Sequence, residues 1–379
     1  MDRTPLDRRS FLQQLARSAG SACLLWTLGR VPRAAAADSP PQESCEVDFY
    51  QRLPGQRIRC GVCPRHCELA DGQTGACRAR RNVGGRHISL GYNNPCLLNV
   101  DPLEKLPLNH FRPGSRAVTI AVGGCNLRCL YCQNWQHSQR APDEMETTRL
   151  PADAAVRAAR RNRVDTVAFG YTEPVAFLEY ATEVATAARR ARLRVAAASA
   201  GYVEPEPFLK LAANLDAVVI TLKAFDDQLY QRLAGVRLDP VLRTIELVRS
   251  RTKCWLEIVN LVVPTYNDDL EMIGRMAVWI REHAGPDTPL HFERFVPMYQ
   301  LSGLPRTAVP TLEAACQVAR QAGLRYVYTS NIAPHEGTNT FCASCGERAI
   351  QRLGFKILEN RLSDGRCPNC RALLPGVWR

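Results

Sequence analysis

The chain has 379 residues, of which 46% are hydrophobic and 23% charged, and these proportions exclude a disordered or fibrous protein. Its apolar runs fall short of the roughly eighteen residues that a membrane-spanning helix needs, so we expect no stable membrane span. The formal net charge is +12, yet no long run of Lys and Arg occurs. We therefore attribute the excess to a solvated basic surface and expect no nucleic-acid partner.

Residues 1–37 have the layout of an export signal. Two adjacent arginines, Arg8 and Arg9, precede a short apolar stretch at 19–28 and four alanines at 34–37. This order of basic, apolar and small residues resembles a twin-arginine signal, a type that carries folded, cofactor-loaded proteins. We expect export to the periplasm; the alternative is a cytoplasmic protein with an amphipathic or disordered tail.

Two cysteine-rich regions flank a regular central part of the chain. Residues 38–44 look like a linker, residues 45–113 are rich in cysteines and turns, and residues 336–379 return to Cys, Gly and Arg. Between these regions, apolar and β-branched runs predict strands at 117–122, 166–169, 194–197, 217–222, 255–263, 290–295 and 326–329. Helical patterns alternate with them at 152–161, 176–190, 206–213, 240–250, 270–283 and 311–322.

This alternation predicts the fold class. Strands that alternate with helices form βαβ units around a parallel sheet. We expect an α/β fold with a partial (β/α)6-type barrel over residues 114–335, whose functional site lies at the carboxyl ends of the strands. The regions 45–113 and 336–379 are predicted to be small cysteine-rich modules, the second of them zinc-ribbon-like.

Cysteine is the unusual residue of this chain, with 16 copies. Eleven of them fall into three groups: Cys60, Cys63, Cys67 and Cys77; Cys125, Cys129 and Cys132; and Cys342, Cys345, Cys367 and Cys370. Gaps of two or three residues suit thiolates that converge on a metal, whereas disulfide frameworks are typical of shorter secreted domains. The sequence therefore predicts metal sites.

The most specific motif follows the first predicted strand. There Cys125, Cys129 and Cys132 have the spacing C-x3-C-x2-C. Three thiolates can ligate three irons of a [4Fe–4S] cluster and leave the fourth iron open to the amino and carboxylate groups of S-adenosylmethionine (SAM). With an aromatic residue, Tyr131, before the third cysteine, the motif resembles the signature of radical SAM enzymes, in which that position lies against the adenine. The alternatives are a zinc loop that lacks its fourth ligand and three buried cysteines without a metal.

Three later strand ends are further candidates for SAM contact. The second strand ends in FGYTEP, where the superfamily has a glycine-rich segment, so Gly170 and Glu173 are expected near the SAM amino group. Glu173 also precedes a proline, and helix capping is its alternative role. Ser199 ends the third strand and either contacts SAM or forms a turn. Lys223 ends the fourth strand, where it faces substrate, the SAM carboxylate or solvent.

A longer set of motifs narrows the resemblance. The segments RCGVCPRHCELADGQTGACR, DPLEKLPLNHFRPG, GGCNLRCLYCQNW, EIVNLVVPTYNDD and NTFCASCG resemble the radical SAM enzyme of the AmmeMemoRadiSam system, a relative of pyruvate formate-lyase activating enzymes. The resemblance implies Memo-like and AMMECR-like partners and an electron donor such as a flavodoxin or ferredoxin. The chain departs from it at 199–202 and 221–223, which read SAGY and TLK instead of TNGY and DLK. These departures weaken any transfer of glycyl-radical activation.

The two flanking cysteine groups differ in what they predict. In the C-terminal group, two C-x2-C pairs separated by 21 residues favour a structural zinc ion over iron. The N-terminal group offers four thiolates that suit zinc or a second iron–sulfur cluster equally well. The function we expect is generation of a 5′-deoxyadenosyl radical for hydrogen abstraction from a protein or small molecule. The alternative is a non-catalytic iron–sulfur and zinc protein for electron transfer or scaffolding.

Overall fold

The computed structural model describes residues 44–379, so the export signal predicted at 1–37 lies outside the described residues. The strands are β1 Cys45–Glu46, β2 Tyr50–Leu53, β3 Arg57–Cys60, β4 Glu68–Leu69, β5 Arg80–Val83, β6 Arg86–Ser89, β7 Leu97–Pro102, β8 Arg116–Ala121, β9 Thr166–Phe169, β10 Arg194–Ser199, β11 Ala217–Thr221, β12 Trp255–Val262, β13 Leu290–Arg294, β14 Val327–Ser330, β15 Thr340–Phe341, β16 Arg348–Leu353 and β17 Lys356–Asn360. The α-helices are α1 Trp135–Ser138, α2 Ala152–Arg161, α3 Leu178–Arg190, α4 Pro205–Ala212, α5 Asp227–Ala234, α6 Asp239–Arg251, α7 Leu270–His283 and α8 Val309–Gln321. None of the helices in this range combines the length and apolarity that crossing a bilayer requires.

One large sheet organises the central part of the chain. Its strands follow the sequence order from β7 to β14, with β8 to β14 parallel and β7 paired antiparallel to β8. The parallel strands are buried on both faces, as in β9, where all four residues are buried. The predicted α/β class with a partial barrel is confirmed.

The helices between the strands bury one apolar stripe against this sheet. Helix α2 keeps its alanines and Val156 inside while its arginines face outward, which is the amphipathic pattern of a surface helix. Helix α3 is preceded by a 3₁₀ turn at Pro174–Phe177, because Glu173 and Pro174 begin a tighter first turn there. The elements that were not predicted include β7, whose residues are mostly exposed or half-buried, and the short helix α5.

Three small antiparallel sheets surround the barrel. They have the strand orders β1-β6-β5, β2-β3-β4 and β15-β16-β17. The last one packs over a separate small core that includes Tyr326, Tyr328, Ile350 and Leu374. The module boundaries expected from the sequence stay predictions. The large sheet continues through β13 and β14 up to the start of this small core.

Candidate active site

The segment that carries the central cysteines, residues 123–132, leaves the carboxyl end of β8, and we call it the cluster loop. Its N–H groups at Arg128 and Leu130 donate to the carbonyls of Ala234 and Leu233, at 2.8 and 2.9 Å. Those carbonyls belong to the last turn of α5, where a helix leaves acceptors unsatisfied. The unpredicted helix α5 therefore fixes the cluster loop in position.

The start of the cluster loop lies against the N-terminal cysteine region. The Cys125 N–H donates to the Cys77 carbonyl at 3.0 Å. Gly124 has a φ of +97°, and a Cβ there would lie 2.4 Å from the same carbonyl oxygen. Only glycine permits both this backbone conformation and this close approach.

The three cysteines of the cluster loop line one cavity at the carboxyl ends of the strands, and we call it the strand-end cavity. It has a volume of about 420 Å³. No fourth cysteine is among the described residues that form its wall, and no three of its side chains bring ligand atoms within 4.8 Å of one another. The thiolates of a [4Fe–4S] cube bind different irons, so they stand farther apart than thiolates that share one ion. The residues present therefore fit a cluster with one open iron.

Tyr131 and Lys223 form one side of this cavity. The Tyr131 side chain is buried, and its hydroxyl has no hydrogen-bond partner among the described residues. The Lys223 ammonium lies 5.8 Å from the centre of the Tyr131 ring, a cation–π distance. A buried hydroxyl without a partner is costly, so Tyr131 has one hydrogen bond left to make.

Glu173 follows β9, and three donors hold its carboxylate. Its carboxylate accepts the Ser199 hydroxyl at 2.8 Å, the Ala200 N–H at 2.7 Å and the Val175 N–H at 3.2 Å. Burial raises the pKa of the Glu173 carboxyl, and the hydrogen bonds from Ala200 and Ser199 oppose this shift. Glu173 is thus a capping residue that also lines the strand-end cavity.

Gly170, predicted as a cofactor contact, does not line this cavity. A Cβ at this position would lie 2.8 Å from Cδ2 of Leu106. The structure gives this glycine a packing reason: the segment after β7 lies directly over it. Tyr171, the next residue, does face the cavity, and its hydroxyl donates to Asp101 at 2.6 Å while accepting from Lys105 at 2.7 Å.

Glu293 is a cavity residue that the sequence reasoning missed. It lies near the end of β13, and its Oε1 accepts a hydrogen bond of 2.7 Å from the Asn331 amide, which follows β14. Burial raises the pKa of Glu293 to about 7, against the opposing effects of the Lys223 charge and the Asn331 hydrogen bond. The signal was available: like Lys223, it is a charged residue at the carboxyl end of a strand of the large sheet.

The C-terminal cysteines form a separate and tighter site. Two pairs of sulfur atoms, Cys342 with Cys370 and Cys345 with Cys367, are each 3.6 Å apart, and all four sulfurs lie within 4.8 Å of one another. Zn–S bonds of about 2.3 Å in a tetrahedron place sulfurs about 3.8 Å apart. The Glu347 N–H is the main cause that lowers the pKa of Cys345, to about 7. This donor set fits one tetrahedral ion.

The N-terminal cysteines are arranged differently. They line one cavity, yet no three of their sulfur atoms lie within 4.8 Å of one another within residues 44–379. The structure therefore gathers all four around a common space without closing them on a single ion. These residues are Cys60, Cys63, Cys67 and Cys77.

The chain resembles known proteins over most of its length. The sequence model of the Radical SAM superfamily matches residues 119–277, which contain the whole C-x3-C-x2-C motif. An uncharacterized protein of Methanocaldococcus jannaschii is 38% identical over 327 residues, which is 86% of this chain and 97% of that protein. The likeness to this relative thus extends well beyond the segment 119–277.

Two solved structures are among those to which the chain is similar. A domain of pyruvate-formate lyase-activating enzyme from Bacteroides vulgatus ATCC 8482 has a TM-score of 0.38 and 17% identity, covering 44% of this chain and 98% of that one. SuiB of Streptococcus suis, bound to S-adenosylmethionine, has a TM-score of 0.46 and 16% identity, covering 60% of this chain and 53% of that one.

Proposed function

The chain belongs to the radical SAM superfamily, and from this premise we propose that it is an enzyme that cleaves SAM at a [4Fe–4S] cluster bound by Cys125, Cys129 and Cys132. When bound, such a cluster supplies the electron that breaks a C–S bond of SAM, and the resulting 5′-deoxyadenosyl radical abstracts a hydrogen atom from a protein or small-molecule substrate. The observation that carries the proposal is the strand-end cavity, where three thiolates and no fourth one meet among the described residues.

The charged residues of this cavity suit the amino-acid part of SAM. Glu173 has three donors on its two oxygens, so it keeps acceptor capacity for an ammonium group. Lys223 is buried and makes no hydrogen bond through its ammonium group within residues 44–379, so it is free to pair with a carboxylate. Opposite charges in a cavity of low polarity interact strongly, and we propose that these two side chains orient SAM.

Tyr131 and Glu293 supply the remaining polar groups. We propose that Tyr131 contacts the adenosine part of SAM, because its hydroxyl lacks a partner. Glu293 has one oxygen bound to Asn331, and the other is available to the cavity. A carboxyl near neutrality can donate or accept a proton, so we assign Glu293 to substrate binding on the side away from Glu173.

Further parts of the proposal rest on the resemblance and the sequence. From the resemblance, we propose that the protein is an oxidoreductase related to pyruvate formate-lyase activating enzymes. Its electron donor would be a flavodoxin or ferredoxin, and its partners Memo-like and AMMECR-like proteins. From the sequence, we propose twin-arginine export to the periplasm. Zinc is the proposed metal of the C-terminal cysteine site, supported by its sulfur distances. Cytoplasmic location remains the alternative to export.

The test is an anaerobic assay of purified protein with dithionite and SAM. We expect 5′-deoxyadenosine as a product and a change in the electron paramagnetic resonance spectrum of the reduced protein when SAM is added. Alanine in place of Cys125, Cys129 and Cys132 together should abolish both. Cys316→Ala is the matched control, since this buried cysteine lies outside all three groups. Turnover by the triple variant at the wild-type rate would refute the proposal, and a cluster without any response to SAM would support the electron-transfer alternative.

A further inference from the structure

The proposed reaction does not use the N-terminal cysteine set, which consists of Cys60, Cys63, Cys67 and Cys77. We infer that it binds an iron–sulfur cluster, not zinc, and that this cluster passes electrons to the cluster held by the cluster loop. The metal assignment stands on the cysteine set alone, whereas the electron transfer rests on the proposed function.

The spacing of the sulfur atoms is the first argument. The C-terminal site shows how this chain builds a site for one ion: four sulfurs lie within 4.8 Å, closed by pairs at 3.6 Å. The N-terminal set and the cluster loop both fail that criterion within residues 44–379, although each set lines one common cavity. Thiolates that bind separate irons must stand apart by the width of the cluster. The N-terminal set thus shares with the cluster loop a spread arrangement around a cavity, and it lacks the close sulfur packing of the C-terminal site.

The wall of this cavity is the second argument. Two of its side chains, Arg80 and His87, are buried, yet Nε of Arg80 and both ring nitrogens of His87 lack hydrogen-bond partners among the described residues. A histidine ring carries at least one N–H in either charge state. Unpaired buried N–H groups need an acceptor, and the sulfurs of an iron–sulfur cluster accept such bonds.

Direct contact between the two sets is the third argument. The Cys77 carbonyl accepts the Cys125 N–H at 3.0 Å, so one ligand of each set meets across a single hydrogen bond. Arg65, between Cys63 and Cys67, donates to the Asn126 carbonyl at 2.6 Å and to the Gly235 carbonyl at 2.8 Å. The contact is therefore rigid.

An electron donor can reach the N-terminal set from outside. Cys60 borders a surface groove of about 1030 Å³, whose wall includes Phe49, Arg59 and His66. The proposed route runs from this groove through the N-terminal cluster to the cluster loop. It leaves the strand-end cavity available to SAM and substrate.

The electron balance is simple. A low-potential one-electron protein donor, of the flavodoxin or ferredoxin class, is oxidised as the N-terminal cluster is reduced from the 2+ to the 1+ state. That cluster returns to 2+ as it reduces the cluster of the cluster loop to 1+. No atom or proton is transferred in these two steps.

The metal assignment is tested in the variant with alanine at Cys125, Cys129 and Cys132, which leaves the N-terminal set intact. The protein is produced with iron-57 and purified anaerobically, and iron, sulfide and zinc are counted. We expect about four irons per chain, as in a [4Fe–4S] cluster, and a resonance signal that SAM does not change. Absence of iron together with a second zinc per chain would overturn the inference. If the proposed function fails instead, the resonance spectrum of the wild-type protein will not respond to SAM, regardless of which metal the triple alanine variant binds.

The electron transfer is tested with Cys67→Ala, because Cys67 is only partly buried and its loss disturbs packing least. Deoxyadenosine formation is measured with dithionite and with reduced flavodoxin. We expect the flavodoxin-driven reaction to be lost and the dithionite-driven reaction to remain. Cys96→Ala, a partly buried cysteine outside both sets, is the control and should keep both. Retention of the flavodoxin-driven rate in Cys67→Ala, or equal loss with both reductants, would overturn the electron transfer.

Discussion

The C-terminal cysteine site and the cluster loop use the same ligand but hold it in opposite ways. At the C-terminal site each pair of cysteines closes on itself: the Cys342 carbonyl accepts from Gly346 and the Cys367 carbonyl accepts from Arg371, at 2.9 and 3.1 Å. The cluster loop has one such internal bond, from the Cys132 N–H to the Cys129 carbonyl at 3.3 Å, but it is also bonded outward, to Cys77 and to the end of α5. Self-closed turns bring four sulfurs together, whereas a loop tied to its surroundings keeps them apart beside a cavity.

The difference teaches that cysteine count and spacing do not determine a metal by themselves. A closed set satisfies every coordination position of one ion and serves folding. A spread set beside a cavity leaves room for a larger cofactor and a second ligand.

Breaking the closed site should have the largest effect. With Cys367→Ser and Cys370→Ser, we expect the zinc to be lost and residues beyond 335 to become sensitive to protease. Structural zinc contributes about 10–16 kcal/mol of apparent binding free energy in small domains, and this is coupled to folding. Iron bound by the cluster loop should remain. Metal analysis and limited proteolysis measure both, with Cys254→Ser, a buried cysteine outside the three groups, as the control. A zinc-free tail that resists protease as well as the wild type would contradict the folding role.

The alternating strands and helices of the barrel were the part of the fold most open to prediction. Strand β9 and helices α2 and α7 match their predicted ranges, because buried apolar runs and amphipathic periods are local properties. Strand β7 was missed because its half-exposed sequence LLNVDP shows neither the alternation of a half-buried strand nor the period of an amphipathic helix. Helix α5 was missed although its C-terminal carbonyls hold the cluster loop.

Site residues that belong to a local sequence motif could be predicted. Features of the site that depend on contacts between distant segments could not. The cluster-loop cysteines and Lys223 line the cavity that the motif reasoning pointed to. Gly170 lies outside it because Leu106, from a distant segment, packs over this glycine. Similarly, the hydrogen bond from Asn331 to Glu293 links the ends of two strands, and no local sequence pattern predicts it.

On the far wall of the strand-end cavity, Glu293 should make stability depend on pH. Its pKa is raised from 4.5 to about 7, so the folded protein binds more protons than the unfolded chain between these values. The free energy of unfolding therefore falls as pH rises through this window. The full pKa shift corresponds to about 3 kcal/mol, and the loss should be smaller than this because the side chain is partly exposed to the cavity. Glu293→Gln should remove this decline. Melting temperatures of both proteins between about pH 5 and pH 8 test it, and parallel curves would show that Glu293 titrates normally.

The last prediction separates the two roles of Glu173. The side chain is not an exposed cap that glutamine can replace at little cost, because three donors meet its carboxylate. Glutamine turns one acceptor into an amide donor facing the Ala200 N–H, so we expect Glu173→Gln to lose about 1–3 kcal/mol of stability. A lower melting temperature alone therefore says nothing about SAM.

The matched control is Ser199→Ala, which removes one donor to the same carboxylate and leaves its charge in place. It should cost about 0.5–1.5 kcal/mol of stability and barely change SAM binding. Loss of the carboxylate charge in Glu173→Gln should weaken the pairing with the SAM ammonium by about 1.5–3 kcal/mol, or about ten- to a hundredfold in affinity. Titration of SAM into both variants by electron paramagnetic resonance measures the difference. If both variants bind SAM as the wild type does, Glu173 acts only through the three backbone and hydroxyl groups it holds, and the ammonium contact belongs to another residue of the cavity.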